Sequence, residues 1–123
     1  MPRPSDPVLQ RVACPRFTGA LPSRSDRVGT GIAMADSCGD VIQVQVQIGS
    51  DVSIAAARHK TYGCGQAIGA AEMVCELVEG RTVAEARLLD AETVARKLKT
   101  TDLHAVRVAV SALLLALDAT SGQ

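Results

Sequence analysis

The sequence predicts an α+β domain, in which a three-stranded antiparallel sheet carries helices packed on one face. Three runs between positions 29 and 61 have strand patterning, and short turns join them. From position 64 to position 119 the apolar residues recur with helical periodicity instead. Strands that come first and helices that follow are typical of a sheet with its helices on one side.

The central strand has the clearest signal in the chain. Over Val41 to Ile48, aliphatic side chains alternate with three glutamines, which predicts a strand with one buried face. Gly31 to Ala35 is predicted to be a short first strand. Val52 to Thr61 is predicted to be the third, after a turn at Gly49-Ser50-Asp51. Turns this short predict antiparallel neighbours.

Four helices are predicted after the strands. Gly80 ends the first, Thr82 and Glu85 form a capping-box pattern that opens the second, and Asp90 opens the third. The predicted bounds are Cys64 to Glu79, a short helix from Thr82, Asp90 to about Leu98, and Leu103 to Ala119. The last helix is apolar nearly all round, so we expect it to lie in the core.

Composition favours one domain with no general attraction to nucleic acid or membranes. The chain has 123 residues, and its 13 basic residues balance 13 acidic ones. The longest apolar run, Ala105 to Leu117, is shorter than the ~20 residues of a membrane span. We expect residues 1–28 to be an N-terminal arm, partly disordered or with a short helix capped by Asp6, and residues 29–123 to form the domain. The four cysteines and the lack of an apolar leader favour the cytoplasm.

Two cysteines lie at positions suited to metal chemistry. Cys64 stands between two glycines at the predicted start of a helix, where N–H groups and the helix dipole favour negative charge. Cys38 lies in the turn between the first two strands. With Asp40, and with His104 at the start of the last helix, they suggest a small thiolate-rich metal or cluster site.

Each of these residue types also has an ordinary structural explanation. A single cysteine is usually a small buried hydrophobe, which is the interpretation we favour for Cys75, and Cys14 is expected to be an incidental thiol in the arm. Asp40 alone would be a turn carboxylate, and His104 alone a helix-start residue. His59, between two basic residues near a strand end, is predicted to be solvated.

Four segments are distinctive when they are taken together. They are Val28-Gly29-Thr30-Gly31, Cys38-Gly39-Asp40-Val41, Ala57-Arg58-His59-Lys60-Thr61-Tyr62-Gly63-Cys64-Gly65-Gln66-Ala67-Ile68, and Leu103-His104. Their order, spacing and element types resemble the iron–sulfur cluster assembly scaffolds of the IscU and NifU N-terminal type. The resemblance runs from about Cys14-Pro15-Arg16 to about Ala119 and implies an IscU/NifU-like fold with its site at one exposed end of the sheet.

The resemblance also implies a ligand set. In that family three cysteines, with an aspartate and a histidine nearby, hold a transient [2Fe–2S] cluster or a zinc ion. By motif the ligands here are Cys38, Asp40, Cys64 and His104, holding a [2Fe–2S] cluster or iron, with zinc as a substitute. The family's third cysteine directly follows the histidine, where this chain has Ala105. That thiol is implicated in receiving sulfur from a cysteine desulfurase, and alanine cannot form a persulfide.

Three functions are consistent with these observations. The first, which we favour, is a scaffold or carrier, not an enzyme, with a cysteine desulfurase and apo iron–sulfur acceptor proteins as partners. The second is a degenerate paralogue that serves as a metal-binding or structural adaptor subunit of a larger redox complex. The third is a small thiol enzyme with Cys64 as nucleophile and His104 as base, for which the sequence offers no orienting third group.

Overall fold

The computed structural model of the chain describes residues 5–21, 27–35 and 39–121. These residues form one helix, then three strands, then four helices. The bounds are Asp6–Ala13 (α1), Val28–Met34 (β1), Val41–Ile48 (β2), Ile54–Tyr62 (β3), Gly65–Val78 (α2), Val83–Arg87 (α3), Ala91–Leu98 (α4) and Leu103–Ser121 (α5). The sheet is antiparallel with the order β1-β2-β3, and α2 and α5 pack against it, which confirms the predicted fold class.

The two faces of the sheet differ as the alternation in β2 predicts. Ile42, Val44 and Val46 are completely buried beneath the helices, because side chains two apart on a strand point the same way. On the other face Gln45 is also shielded from water. Its Nε2 donates to Thr30 Oγ1 at 3.1 Å, so the polar group has a partner despite its burial.

α5 approaches β1 closely because β1 carries two glycines on the covered face. A Cβ at Gly31 would lie 2.2 Å from the carbonyl oxygen of Ala112, and one at Gly29 would lie 2.1 Å from that of Ala116. By length and composition alone α5 could cross a membrane, but 50% of its 18-residue apolar window is buried inside the protein. Its packing on the sheet accounts for its apolar character.

α1 forms near the start of the predicted arm. The Oγ of Ser5 accepts the Val8 N–H, so Ser5 is the N-cap in place of the predicted Asp6. Val8 is completely buried against α2, where a Cβ on Gly69 would lie 3.0 Å from its Cγ1. Ser5 Oγ also donates to the carbonyl of Leu98, which joins α1 to the end of α4. The division of the chain after position 28 stays a prediction.

His59 is buried, so the prediction that it is solvated is wrong. Its side chain is 1% exposed, and its Nε2 lies 2.8 Å from Oε2 of the buried Glu72. The same carboxylate accepts the N–H groups of Arg16 at 2.7 Å and Phe17 at 2.9 Å. The strand period of two places His59 on the covered face with Ala57, and Glu72 supplies the partner that a buried polar ring requires.

The chain that follows α1 covers the outer edge of β3. The His59 N–H donates to the Phe17 carbonyl at 2.9 Å, and the Gly19 N–H donates to the His59 carbonyl at 3.0 Å. Farther along the edge, the Ala57 N–H donates to Oε2 of Glu79 at 3.0 Å. Unpaired edge groups invite pairing with other chains, and these contacts satisfy groups that would otherwise be open.

Candidate functional site

The register of the sheet brings Asp40 and Cys64 together. Val41, the first residue of β2, pairs with Tyr62, the last residue of β3, so Asp40 and Cys64 emerge at the same end of the sheet. The Cys64 N–H donates to Asp40 Oδ1 at 3.2 Å, and the Cys64 thiol donates to Asp40 Oδ2 at 3.6 Å. Asp40 is 6% exposed and Cys64 is partly exposed. A sulfur donor and an oxygen donor therefore lie side by side.

Cys64 is the N-cap of α2, as the sequence predicts. Its backbone is extended, with φ −75° and ψ 170°, and its carbonyl accepts the N–H of Ile68 at 3.2 Å. The first turn of α2 contains no acidic residue. The Cys64 side chain thus lies at a helix end whose N–H groups carry partial positive charge, which favours an anionic cargo.

Gly63 makes the approach of the carboxylate possible. A Cβ at Gly63 would lie 2.2 Å from Asp40 Oδ1 and 2.6 Å from its Cγ. At Gly65, on the other side of the cysteine, the described atom nearest to a Cβ would be Val12 Cγ2 at 3.5 Å, an ordinary contact. The two glycines beside Cys64 therefore differ, since only Gly63 is required for space.

The described residues bring together two of the four predicted ligands. Cys38 lies outside the described residues. His104 is exposed in the first turn of α5, and its imidazole forms no hydrogen bond or ion pair with another described residue. Across residues 5–21, 27–35 and 39–121, no three His, Cys, Asp or Glu side chains are grouped as a metal site requires. The full set of Cys38, Asp40, Cys64 and His104 stays a prediction.

The loop before His104 is joined to the start of α2 by two residues that sequence analysis missed. Thr100 Oγ1 donates to Gln66 Oε1 at 3.1 Å, across 34 positions of sequence. Gln66 is only 8% exposed, two residues after Cys64. The available signal was a glutamine in an otherwise apolar first turn, but a pattern of this kind does not identify its partner.

Ala105 takes the position at which the resemblance expects a third cysteine, so no thiol is present there. Ala105 is 4% exposed, and its N–H donates to Oδ1 of Asp102 at 3.2 Å. Asp102 thus caps α5 by the usual arrangement in which a side-chain oxygen accepts the N–H three residues later. The position that the resemblance assigns to a third cysteine is a buried residue of the first turn of α5.

The other two described cysteines are not part of the Asp40–Cys64 pair. Cys14 is exposed after the last residue of α1, and its N–H donates to the Gln10 carbonyl at 3.0 Å. Cys75 is completely buried in α2, and its burial, together with the nearby Glu72 carboxylate, raises the pKa of its thiol. Cys75 therefore stays protonated and serves as packing, as the sequence predicts.

The sheet end beside the site has exposed apolar side chains. Met34, Val41 and Tyr62 lie directly opposite one another across the three strands, so they share one face. Met34 is 67% exposed and Tyr62 is 70% exposed. Large exposed apolar groups next to a functional site are typical of surfaces that contact other proteins.

A surface cavity of about 260 Å³ lies elsewhere in the molecule. Residues from the C-terminal end of α2, from α3 and from α4 line it, among them Leu77, Glu85 and Lys97. Of the predicted ligands that the structure describes, Asp40, Cys64 and His104, none contributes to its lining. The cavity is therefore separate from the Asp40–Cys64 pair.

The chain shares its fold with small α+β proteins whose structures have been solved. The chain superposes with a TM-score of 0.76 on the crystal structure of a candidate iron–sulfur cluster assembly scaffold protein for the SUF system from Fervidobacterium islandicum AW-1. The identity is 15%, and the alignment covers 92% of this chain and 95% of that one. At this level of identity the likeness concerns the fold.

Sequence comparison then gives the family. A model of the NifU-like N-terminal domain matches residues 4–122. The iron–sulfur cluster assembly scaffold protein IscU of Haemophilus influenzae is 36% identical over 115 residues, which cover 94% of this chain and 87% of that protein. IscU of Escherichia coli K12 is 35% identical over 95 residues, 77% of this chain and 74% of that protein. The chain belongs to the NifU-like N-terminal domain family, which confirms the resemblance.

Proposed function

We propose that this protein is an iron–sulfur cluster assembly scaffold, or carrier, that holds a [2Fe–2S] cluster transiently and delivers it to apoproteins. Family membership and the similarity to proteins named IscU scaffolds support this class of function. The observation that carries the proposal in this chain is the Cys64 thiol, 3.6 Å from the Asp40 carboxylate. Such a pair at the partly exposed end of a sheet can form one edge of a cluster site.

The cluster is cargo, and the chain supplies its ligands. In this proposal Cys38 and Cys64 give thiolates, Asp40 gives an oxygen and His104 gives an imidazole nitrogen. This mixed set suits the iron of a small cluster, and it also suits tetrahedral zinc, which we propose as the substitute in protein isolated without iron. Two thiolates hold a cluster less firmly than three or four, which favours release to an acceptor.

A cysteine desulfurase and apo iron–sulfur proteins are the partners that we propose. The exposed side chains of Met34 and Tyr62, beside the site, suit contacts with such proteins. Ala105 has no nucleophile, so sulfur would have to arrive at Cys38 or Cys64 or as free sulfide. We propose a cytoplasmic location, where thiols stay reduced, and cell fractionation tests it.

A reconstitution experiment tests the proposal. Under anaerobic conditions with ferrous iron, sulfide and a thiol, the purified protein is expected to develop visible cluster absorption and then to load an apo-ferredoxin. Cys38→Ala and Cys64→Ala are expected to lose that absorption, because each removes a thiolate. Cys75→Ala is the matched control, since it removes a thiol that is completely buried elsewhere. Equal absorption in all four proteins, or none in the wild type, contradicts the proposal.

The loss of the third cysteine favours one competing function, a degenerate paralogue that acts as an adaptor in a larger redox complex. Such a protein would bind a neighbouring enzyme in a stable, stoichiometric complex and would not release a cluster. Co-purification followed by transfer kinetics distinguishes the two functions. We propose no enzymatic turnover, because holding and transferring a cluster requires no covalent step on the protein; a thiol enzyme that uses Cys64 would be inactivated by iodoacetamide.

A further inference from the structure

The loop between α4 and α5 has a fixed backbone on both sides of Thr100. At the end of α4, Lys99 adopts a left-handed conformation with φ 53°. Its N–H donates to the Arg96 carbonyl at 3.2 Å, and the Thr100 N–H donates to that of Ala95 at 3.1 Å. This pair of bonds is the Schellman arrangement that ends a helix sharply. The loop therefore leaves α4 in one direction and presents the Thr100 side chain to α2.

The Thr100 hydroxyl uses both of its hydrogen-bonding capacities. It donates to Oε1 of Gln66 at 3.1 Å and accepts the N–H of Asp102 at 3.1 Å. Asp102 in turn accepts the Ala105 N–H and so caps α5. A continuous chain of hydrogen bonds thus runs from the first turn of α2, which begins just after Cys64, to the first turn of α5.

His104 lies in the first turn of α5, the turn that this chain of bonds reaches. Its imidazole is exposed and has no hydrogen-bond partner among the described residues, so the backbone sets its position. A ligand of this kind has to be held at a constant separation from the others if it is to share a metal with them. The contacts that fix the start of α5 relative to α2 therefore decide where the imidazole can reach.

We infer that Thr100 and Gln66 are positioning residues that hold His104 in reach of the Cys64 end of the site. The inference rests on the proposed function, because it assigns a role to these residues within the same ligand set. Neither residue supplies a donor to the cargo. Among the described residues the imidazole is not grouped with Asp40 and Cys64, so it has to turn toward the thiol for both to bind one ion. The Thr100–Gln66 bond keeps the start of α5 against the start of α2, from which that turn can be made.

Three variants test the hydroxyl without changing the size of the side chain greatly. Thr100→Val removes both hydrogen bonds, and Thr100→Ser restores the hydroxyl. Thr101→Val is the matched control, because Thr101 is exposed and contributes its carbonyl to Leu103 at 3.0 Å, a contact that valine keeps. Hydrogen exchange of the metal-free protein is expected to be roughly tenfold faster at Asp102 and its neighbours in Thr100→Val alone.

A double-mutant cycle with Co²⁺ separates positioning from general loop stability. His104→Ala and Thr100→Val are each expected to weaken Co²⁺ binding, by roughly tenfold and several-fold respectively. In the His104→Ala background, Thr100→Val is expected to change the affinity no further, because its effect passes through the imidazole. Thr100→Ser should bind as the wild type does.

The outcomes separate this inference from the proposed function. If the Thr100→Val effect on Co²⁺ affinity is the same in both backgrounds, or if Thr101→Val has an equal effect, the inference is wrong. The inference also fails if the wild type does not bind Co²⁺. Binding of Co²⁺ with the expected cycle, but without cluster formation on reconstitution, would leave the positioning role in place and overturn the scaffold function.

Discussion

At the scale of single residues, Gly63 decides how close a carboxylate can lie to Cys64. It is not among the described glycines with positive φ, which are Gly19, Gly39 and Gly80. Its lack of a side chain matters for another reason, because the Asp40 carboxylate occupies the space that a Cβ would fill. Glycine is therefore needed beside Cys64 because the side chain of Asp40, which is distant in the sequence, fills the space next to it.

Replacing this glycine should separate the two donors. Gly63→Ala is expected to push the Asp40 carboxylate away from the Cys64 N–H and to lower the affinity for Zn²⁺ roughly tenfold, because the oxygen no longer lies beside the sulfur. Isothermal titration with Zn²⁺ measures this. Gly65→Ala is the control, since its Cβ meets Val12 at an ordinary 3.5 Å. Equal affinities for the two variants would show that Asp40 is not part of the site.

Residue-level prediction succeeded where local pattern carries the information. The position of Cys64 at a helix start and the place of Asp40 at a strand start follow from short motifs, and the structure adds that they touch. His59 was assigned wrongly because its charged neighbours suggested solvent, whereas its partner Glu72 lies 13 positions away. Long-range polar partners of this kind are fixed by packing and have no signature at either position.

At the scale of elements, the β2–β3 turn contains a strained residue. Val52 has φ 62°, a left-handed conformation that costs a β-branched residue more than most. Its side chain is 59% exposed, so it gains little burial in return. Its N–H donates to the Gly49 carbonyl at 3.1 Å, which shows that the conformation is part of the turn itself.

Glycine at this position should therefore stabilise the protein. Val52→Gly is expected to raise the free energy of unfolding by about 1 kcal/mol, after the greater entropy of glycine in the unfolded chain is subtracted. The midpoint of thermal unfolding should rise by about 3–5 °C. Ser50→Gly, in the same turn but without a positive φ, should give no increase. A decrease for Val52→Gly would mean that the turn conformation is not strained.

Element bounds were predicted best where side chains alternate. β2 spans Val41–Ile48, as its alternating aliphatic and glutamine residues predict. β1 spans Val28–Met34 and begins three residues before the predicted start at Gly31. Its glycines have no side chains, so the segment shows no clear alternation of apolar and polar residues. α1 begins after Ser5 where Asp6 was expected as the cap, since both residue types suit that position.

At the scale of the whole molecule, the joint between α5 and the sheet depends on small residues. Gly29 and Gly31 lie beneath Ala112 and Ala116, with helix carbonyls directly over the strand. The order of strands and helices sufficed to predict an α+β fold, because each element has to bury one apolar face. That order could not predict how near the helix would come, which depends on this pairing of glycine with alanine.

A single methyl group should disturb this joint. Gly31→Ala would place a Cβ 2.2 Å from a carbonyl oxygen of α5, so helix and strand would have to move apart. The expected loss is about 1–3 kcal/mol of the free energy of unfolding, measured by urea denaturation. Gly65→Ala, at the first residue of α2, would place its Cβ at an ordinary 3.5 Å from Val12 Cγ2 and should be neutral or slightly stabilising. Equal stabilities for Gly31→Ala and the wild type would contradict the described packing.

The buried carboxylate of Glu72 has a practical consequence for anyone who shortens this protein. Two of its hydrogen bonds come from the main chain at Arg16 and Phe17, ahead of the first strand. A fragment that begins at Arg27 would lack both of these main-chain donors to the Glu72 carboxylate. It would also expose the outer edge of β3. Such a fragment is expected to aggregate, even though every strand and every proposed ligand would still be present.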